Sequence, residues 1–534
     1  MIRKNIYKWH RICSLIIAIP VLLWALSGFM HPIMTNLRPA MKTQGIPVVP
    51  IDSSKIKLTL QQVLKQNKID SIYSARLVHI DTNWFYQVKT SRKYDLQYIS
   101  AKNGNILTKG DWLYAQYIAR LFLEGAPKQK GKMPAMEMPM NMPMSDGMDC
   151  CGEAASTVLN NKTGAPIDYA SLVAKFDKEY KPIYCLLPVY KVQFKRADNI
   201  RLYVETGQDR FSVAVDKNRA AFTQFFDIVH TWGWLDFLGK GRLLVVMIIA
   251  ALGFFTAIMG LYIFFSTKSK KVPGNQLVKA RRNHRYTAVV ASIFTLMFTF
   301  SGCYQAFSEF TGPEKQVIVV QHGFASSAID LDLNKLHQVV KKSITNIGLV
   351  QLNGKIYWQV YLQSGKKNHK KDLMKDMSAD AAVVTYVNAT DFSVLSNGDE
   401  LYAKILATQL SGHGENEIVS TELITKFTDE YNFTDKRLPV WKVNYPFNHK
   451  QRLYVETVTG VLAKNTNNVE LAEGYSFALF HKHHYMDFGG KATRDISTMV
   501  GAALQIVMVT IGMIFYFKWR KRKVKQLDQI EPGK

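Results

Sequence analysis

Cysteine is scarce in this sequence, with five residues in a chain of 534. So few cysteines exclude a small fold that is held together by disulfide bonds. The sequence also lacks a GxGxxG motif after a strand, a Walker A motif and an HExxH motif. These motifs are typical of dinucleotide, nucleoside triphosphate and zinc protease sites, so we expect no nucleotide or flavin site in this chain.

Acidic residues are a minority, with 42 Asp and Glu against 68 Lys and Arg, and the formal net charge is +26. A basic excess of this size is one feature of nucleic-acid-binding proteins. Here most of the excess lies beside long apolar segments, which is typical of membrane topology instead. We therefore expect the lipid bilayer as a partner and no nucleic acid.

Long apolar segments occur four times in the chain. Each is close to the roughly 20 residues that a helix needs to cross the hydrocarbon of a bilayer. A backbone at that depth must satisfy its own hydrogen bonds, so all four are predicted to be helices. The predicted spans are residues 12–30, 243–265, 286–307 and 496–517.

Lysine and arginine residues set the predicted orientation of these spans. They cluster in residues 1–11, 266–285 and 518–534, which the positive-inside rule places in the cytoplasm. The two long segments, 31–242 and 308–495, then lie on the far side, which in a bacterium is the periplasm. The prediction is a multi-pass protein of the bacterial inner membrane with both termini in the cytoplasm.

Sequence repeats divide the chain into two halves. The hexapeptide RLYVET begins at Arg201 and again at Arg452, and LPVYKV at Leu187 corresponds to LPVWKV at Leu438. We expect an internal duplication in which each half contributes a helix, a long segment and a second helix. The halves would be related by a pseudo-two-fold axis along the membrane normal.

The long segments have the pattern of an α+β fold. A helix-like stretch followed by alternating apolar runs occurs twice in each half, ending near residue 100, over 167–216, near 331–400 and over 420–463. This pattern predicts four small units, each a helix with an antiparallel sheet. The first half also carries about 37 additional residues, over 127–163.

Seven of the thirteen histidines lie at the ends of predicted spans: His10, His31, His230, His284, His481, His483 and His484. Ionisable residues at membrane depth usually face the interior of the bundle and mark function. His10 and His284 are repeat equivalents at the cytoplasmic end, and His230 and His481 are repeat equivalents at the other end.

Imidazoles from facing helices are common axial ligands of haem iron in helical bundles. His10 and His31 are separated by about 31 Å of helix, so they would belong to two centres stacked across the bilayer. We predict that His10 and His284 hold the inner centre. For the outer centre the sequence leaves four candidates: His31, His230, His481 and His484. His230 and His481 form the symmetric pair, whereas His481 and His484 would share one face of a helix from which His483 points away.

The segment YKWHRICSLIIAIPVLLWALSGFMHP, the two RLYVET repeats and HTWGWLDFLGKGR before the second span resemble the PepSY-associated transmembrane family. The resemblance covers nearly the whole chain apart from residues 127–163. It implies a four-helix bundle with two b-type haems and periplasmic PepSY-like units, as in inner-membrane ferric-siderophore reductases. Other members of the family are linked to protease propeptides.

The additional segment is rich in soft metal ligands. Its methionines and cysteines are Met133, Met136, Met138, Met140, Met142, Met144, Met148, Cys150 and Cys151. Thioether and thiolate sulfur favour Cu(I), so we predict a Cu(I)-binding loop. The alternative is a flexible, low-complexity segment.

These observations favour a haem-b oxidoreductase that passes electrons across the membrane to a ferric siderophore or another ferric chelate. The electrons would come from an external donor, either a quinol or a cytoplasmic reductase. Two alternatives stay open: a copper-handling protein, as a cupric reductase or a Cu(I)-binding accessory, and a non-enzymatic scaffold that regulates a periplasmic protease. The scaffold predicts no haem.

Overall fold

The computed structural model describes residues 2–43, 45–125, 164–268, 272–312, 317–363 and 383–530. These residues form ten α-helices: α1 (Ile2–Asn36), α2 (Leu60–Gln66), α3 (Gly110–Glu124), α4 (Lys217–Val229), α5 (Gly241–Ser266), α6 (Gln276–Thr311), α7 (Leu333–Val340), α8 (Gly398–Ser411), α9 (Asn468–Ser476) and α10 (Gly490–Ile530). Four of them, α1, α5, α6 and α10, are long and apolar enough to cross a membrane.

The same residues form five sheets. Their strands are β1 (Ser71–Ile72), β2 (Ser74–Ile80), β3 (Asn83–Lys89), β4 (Leu96–Ser100), β5 (Ile167–Val173), β6 (Val189–Phe194), β7 (Arg201–Glu205), β8 (Arg210–Val215), β9 (Phe324–Ala325), β10 (Ile344–Leu352), β11 (Lys355–Leu362), β12 (Val383–Asn388), β13 (Val394–Leu395), β14 (Ser420–Ile424), β15 (Val440–Asn444), β16 (Arg452–Glu456) and β17 (Val461–Thr466). The sheet orders are β1-β9, β2-β3-β4, β5-β6-β7-β8, β10-β11-β12-β13 and β14-β15-β16-β17.

The four long helices extend beyond the predicted spans at both ends. α1 begins at Ile2 and ends at Asn36, and α10 continues to Ile530. Lysine and arginine are good helix formers, so the basic flanks continue the helix after the apolar segment has ended. Asn275 caps the start of α6 by accepting hydrogen bonds from two backbone N–H groups of its first turn.

The helix-first prediction for residues 167–216 and 420–463 is wrong. Both stretches begin with an edge strand, β5 and β14. In β5 the less exposed residues are Ile167, Ala170 and Val173, and this spacing of three imitates a helix. Pairing with the neighbouring strands β6 and β15 decides the conformation.

The chain divides into two compact units. The helical unit comprises Met1–Arg38, Asn218–Glu314 and Asn468–Lys534, and the sheet unit comprises Pro39–Lys217 and Lys315–Asn467. In the helical unit α5 packs on α1 and α6, and α10 also packs on α1 and α6. Small buried residues at these contacts, such as Ala250, Gly253 and Ala502, let the helix backbones approach closely.

In the sheet unit equivalent bonds recur in the two halves. Gln87 donates through Nε2 to the Tyr98 hydroxyl and to the backbone oxygen of Thr206. Gln359 does the same in the second half, to the hydroxyl of Tyr386 (2.7 Å) and to the Thr457 backbone oxygen (3.0 Å). The same polar bonds therefore lie beside α3 in the first half and beside α8 in the second.

Candidate functional site

The rings of His230 and His481 are neighbours in the helical unit. Their centroids are 6.1 Å apart and their planes are nearly perpendicular, at 84°. His230 follows the last residue of α4. His481 ends a π-helical turn, Phe477–His481, that follows α9. Two repeat-equivalent histidines thus meet at one place in the bundle.

The Nδ1 atom of each of these rings lies within hydrogen-bond distance of a serine hydroxyl on a long helix. Ser27 Oγ of α1 lies 2.9 Å from Nδ1 of His230, and Ser301 Oγ of α6 lies 3.2 Å from Nδ1 of His481. Both serines are buried, at 0% and 1% exposure. In the described part of the chain, Nε2 of neither ring has a hydrogen-bond partner, so this nitrogen is the one available to a ligand.

A phenylalanine four residues earlier stacks on each ring. Phe226 lies 4.4 Å from His230, and Phe477 lies 4.6 Å from His481, between ring centroids. Burial and the neighbouring His31 lower the pKa of His230 to about 4. Burial, with His230 as the next cause, lowers the pKa of His481 to about 3. Both rings are therefore neutral at neutral pH, as imidazole ligands of a metal must be.

The two rings are close enough to belong to one site, with centroids 6.1 Å apart. An imidazole nitrogen binds a metal at about 2 Å. Among the described residues no group of three or more His, Cys, Asp or Glu side chains is placed to hold a metal ion. Haem brings four iron ligands in its macrocycle and takes one or two more from the protein, so two histidines are the kind of ligand set that it uses.

His10 and His284 have a second symmetric arrangement near the other end of the helices. His10 Nδ1 lies 3.1 Å from the backbone oxygen of Thr256 on α5. The backbone of Met508 on α10 interacts with the His284 ring, although Nδ1 of His284 has no partner in full hydrogen-bond geometry. The two rings are within electrostatic range of each other, so the structure brings the predicted inner pair together.

Glycine makes room for both inner rings. A Cβ atom on Gly260 of α5 would lie 3.2 Å from Cε1 of His10, and one on Gly512 of α10 would lie 3.2 Å from Cε1 of His284. Each glycine is four residues after the backbone carbonyl that faces the ring. Each of the two inner histidines therefore packs against a glycine that lies one helical turn after a backbone carbonyl, on α5 for His10 and on α10 for His284.

The predicted helical face shared by His481 and His484 is wrong. The segment changes conformation at His483, which has a φ of 54°, and a 3₁₀ turn follows over His484–Gly489. His484 Nδ1 lies 3.0 Å from Asp487 Oδ2, and its Nε2 lies 3.4 Å from Arg494. Both ring nitrogens of His484 are thus engaged by charged side chains.

His31 lies beside the outer pair. Its ring packs on Phe226 at 5.4 Å between centroids, and it is within electrostatic range of Lys482 and Asp495. His230 and His481 are both within electrostatic range of His31. The structure therefore places His230 and His481 together and His31 beside them.

His483 is the buried histidine that the sequence interpretation set aside. It is 0% exposed, Nδ1 lies 2.9 Å from Ser497 Oγ, and Nε2 has no partner. Its ring is parallel to that of Phe298, at 5.3 Å and 2°. At the equivalent place in the first half Trp232 stacks on Trp24 at 5.1 Å. The repeat alignment pairs His483 with Trp232. This difference between the two halves is visible in the sequence and could have identified His483 as an unusual position.

The sequence analysis did not identify the serines and glycines that contact the histidine rings. The repeated dipeptides Ser27–Gly28 and Ser301–Gly302 are visible in the sequence but received no role. The contacts of Gly260 and Gly512 become apparent only once the helices are packed. The predicted Cu(I) ligands, from Met133 to Met148 with Cys150 and Cys151, lie outside the described residues.

The model of the PepSY-associated TM region family matches residues 7–414. The chain belongs to this family. The match includes three of the four long helices and ends within the second half of the sheet unit. This member of the PepSY-associated TM family is a membrane protein with α+β regions. No curated protein matches the chain.

Proposed function

We propose that this protein is a haem-b oxidoreductase of the bacterial inner membrane that carries electrons outward and reduces ferric chelates. The observation that carries the proposal is the His230–His481 pair, with rings 6.1 Å apart and each Nδ1 beside a serine hydroxyl. His10 and His284 would hold a second haem. Haem bound between two imidazoles supplies a one-electron carrier that has no open coordination position.

The chain's own residues fix where such carriers would lie. His10 and Ser27 are 17 residues apart on one continuous helix, which is about 25 Å along the axis. His284 and Ser301 have the same separation on α6. The two histidine pairs are therefore held near opposite ends of the bundle by the same two helices, a spacing that supports transfer across the bilayer.

The basic flanks support a cytoplasmic position for the His10–His284 end, by the positive-inside rule. The long segments, including the sheet unit, would then be periplasmic and would face the ferric chelate. One electron converts the bound Fe(III) to Fe(II), which oxygen-rich siderophores bind far more weakly. The electron comes from an external quinol or a cytoplasmic reductase. The recurring bonds beside α3 and α8 support an origin of the two halves by duplication.

The test is a reduced-minus-oxidised visible spectrum of the detergent-purified protein, with haem quantified per chain. We expect a b-type signal at two haems per chain in the wild type. His230→Ala, His481→Ala or His284→Ala is expected to reduce this to about one, since each removes one ligand of one pair. The matched control is His449→Ala, because His449 is exposed in the sheet unit and should keep both haems.

Haem-free protein from cells with ample haem would refute the proposal and favour the protease scaffold. Activity is then measured by reducing the protein, adding a ferric siderophore and trapping Fe(II) with a colorimetric chelator. Haem oxidation without Fe(II) formation would contradict ferric chelates as the substrate.

A second candidate function is copper handling, and the methionine and cysteine spacing in residues 133–151 favours it. Deletion of residues 126–163 tests it. We expect the deletion to keep both haems and Fe(III) reduction and to lose Cu(I) binding, measured by competition with a Cu(I)-specific chromophore. Unchanged Cu(I) binding would refute a role of this segment in copper handling.

A further inference from the structure

Two short 3₁₀ turns of the helical unit leave large aromatic side chains exposed. The turn Gly233–Leu238 comes just before α5, and the turn His484–Gly489 comes just before α10. We call these two segments the aromatic turns. Their exposed rings stand at equivalent positions of the two halves: Trp234 (60% exposed) with Tyr485 (45%), and Phe237 (79%) with Phe488 (86%). The same exposed surface therefore occurs twice in the helical unit.

Each aromatic turn has an inner and an outer side. In a 3₁₀ helix side chains three residues apart lie one above the other, so the two exposed rings of each turn share one face. The residue before each turn is buried against a long helix. Trp232 stacks on Trp24 of α1 at 5.1 Å between ring centroids, and His483 stacks on Phe298 of α6 at 5.3 Å. One ring thus fixes each turn to the bundle, and two rings are left outside it.

The two aromatic turns lie at opposite corners of the helical unit. The first is followed directly by α5 and packs on it, and the second is followed directly by α10 and packs on it. Both α5 and α10 pack on α1 and on α6, so α5 and α10 occupy opposite corners of this arrangement. A protein partner bound to one side would cover one of the turns. A lipid bilayer surrounds the four helices and reaches both.

The charges within the aromatic turns are paired. Asp236 lies 3.2 Å from Arg242, and Asp487 lies 3.1 Å from Arg494, so each carboxylate has a counter-ion at the start of the helix that follows. Large exposed apolar patches with a polar rim mark protein or membrane interaction sites. Tryptophan and tyrosine are enriched where the bilayer meets water, because their rings are apolar with a polar group at the edge.

We propose that the two aromatic turns are membrane anchors whose exposed rings insert among phospholipids at the His230–His481 end of the bundle. Their position at the ends of two spans, their placement at opposite corners and their paired charges fit a lipid surface. His230 and His481 are each three residues before the first residue of a turn. The anchors would therefore hold these two histidines at the level of the lipid headgroups. The inference goes beyond the proposed function and does not require haem.

The experiment places a photoreactive p-benzoylphenylalanine at Phe237 or at Phe488 of the full-length protein. The protein is reconstituted into phosphatidylethanolamine and phosphatidylglycerol vesicles, illuminated and weighed by mass spectrometry. Each variant should gain the mass of one phospholipid. The same replacement of Phe255, which is 59% exposed in the middle of α5, should also gain lipid. The control is Phe433, which is 53% exposed in the sheet unit and should gain none.

A phospholipid adduct at both turns, with none at Phe433, supports the anchors. If either turn gives no lipid adduct while the Phe255 variant does, the proposal is wrong. Adducts at the turns with the mass of another protein or of a second copy of this chain would overturn it in favour of a protein interface.

A second measurement uses natural side chains, in case a photoreactive variant does not fold. Brominated phospholipids quench the fluorescence of tryptophans that touch them. Trp234→Phe should reduce the amount of emission that bromine removes, whereas Trp112→Phe should leave it unchanged, because Trp112 is an exposed tryptophan of the sheet unit. An unchanged amount in Trp234→Phe would contradict the anchor. Absence of haem would refute the proposed function and leave both measurements valid, so the two failures are distinguishable.

Discussion

A buried carboxylate joins the two halves of the sheet unit, and its removal should be costly. Glu456 on β16 is 0% exposed. It accepts hydrogen bonds from Arg437 at 2.7 Å and from Arg210 of the first half, on β8. Thr459 donates to the same carboxylate. We predict that Glu456→Gln weakens the fold of the sheet unit, because two buried guanidinium groups lose the carboxylate to which they are hydrogen-bonded.

The size of the effect follows from the burial of the site. Removing one partner of a buried ion pair costs about 3–5 kcal/mol. The glutamine amide oxygen still accepts one hydrogen bond, so we expect the lower end, about 3 kcal/mol. A loss of that size lowers the unfolding midpoint of a unit as large as this one by roughly 4 °C. Thermal unfolding of the full-length protein in detergent, followed by circular dichroism, measures it.

The matched control is Glu205→Gln, at the equivalent position of the first RLYVET repeat. Glu205 accepts hydrogen bonds from the backbone N–H groups of Gly207 and Gln208. Arg210 and Arg437 are only within electrostatic range of it, and burial outweighs them and raises its pKa. Its ionised form is therefore not favoured by folding, and Glu205→Gln should leave the midpoint at neutral pH nearly unchanged. Equal losses in the two variants would refute the argument from the arginines.

The same site predicts a pH dependence. Burial raises the pKa of Glu456, but Arg210 and Arg437 outweigh it and the net pKa is about 2, below the ordinary 4.5. A group with a lowered pKa in the folded state contributes stability above its unfolded pKa, and the contribution is lost as pH falls through the folded value. Wild-type stability should therefore fall between about pH 4.5 and pH 2 by more than that of Glu456→Gln, and parallel curves would contradict the assignment.

Three further predictions concern the helices and the ring geometry. Gly512→Val should displace His284, because even a Cβ would lie 3.2 Å from Cε1. Under the proposed function this variant should leave about one haem per chain, whereas Gly474→Val, where a Cβ meets nothing within 4 Å, should keep two. Gly398→Ala should cost about 1–3 kcal/mol by overpacking, since its Cβ would lie 2.6 Å from Tyr386 Cγ, and an unchanged midpoint relative to Gly45→Ala would contradict this. Under the proposed function, the 84° between the His230 and His481 planes predicts a strongly anisotropic low-spin ferric signal in electron paramagnetic resonance, which His481→Ala should remove.

Much of the fold could be predicted from the sequence because two strong patterns determine it. The apolar segments are long enough to identify four membrane helices, although their ends are set by helix propensity and capping outside the apolar stretch. Alternation identified the central strands such as β7 and β16. It failed for β5 and β14, whose exposed edge positions carry a spacing of three, so that only pairing with a neighbouring strand makes them extended.

The candidate site could be predicted as far as the repeat is symmetric. Equivalent positions in the two halves identified His230 with His481 and His10 with His284, and the structure places the members of each pair near one another. The helical face predicted for His481 and His484 is wrong because that prediction assumed a continuous helix through His483. The left-handed conformation at that residue has a counterpart at Trp232, which has a φ of 54° as well, so the break is a property of both halves.

The departures from the repeat lie mainly at one end of the helical unit. At the inner end the histidines, their facing carbonyls and their glycines agree between the halves. At the outer end His31 corresponds to Gln305, and His483 corresponds to Trp232. Ser497, the hydrogen-bond partner of His483, corresponds to Val245. A buried imidazole with an unsatisfied nitrogen costs about 1–3 kcal/mol relative to one that is fully bonded, whereas the tryptophan pair in the first half packs without that cost. Nε2 of His483 at the outer end and Nδ1 of His284 at the inner end are both without a partner, so this cost is not confined to one end. His483→Trp restores at the outer end the residue of the first half, and it should perturb the outer histidine pair and leave the inner pair in place.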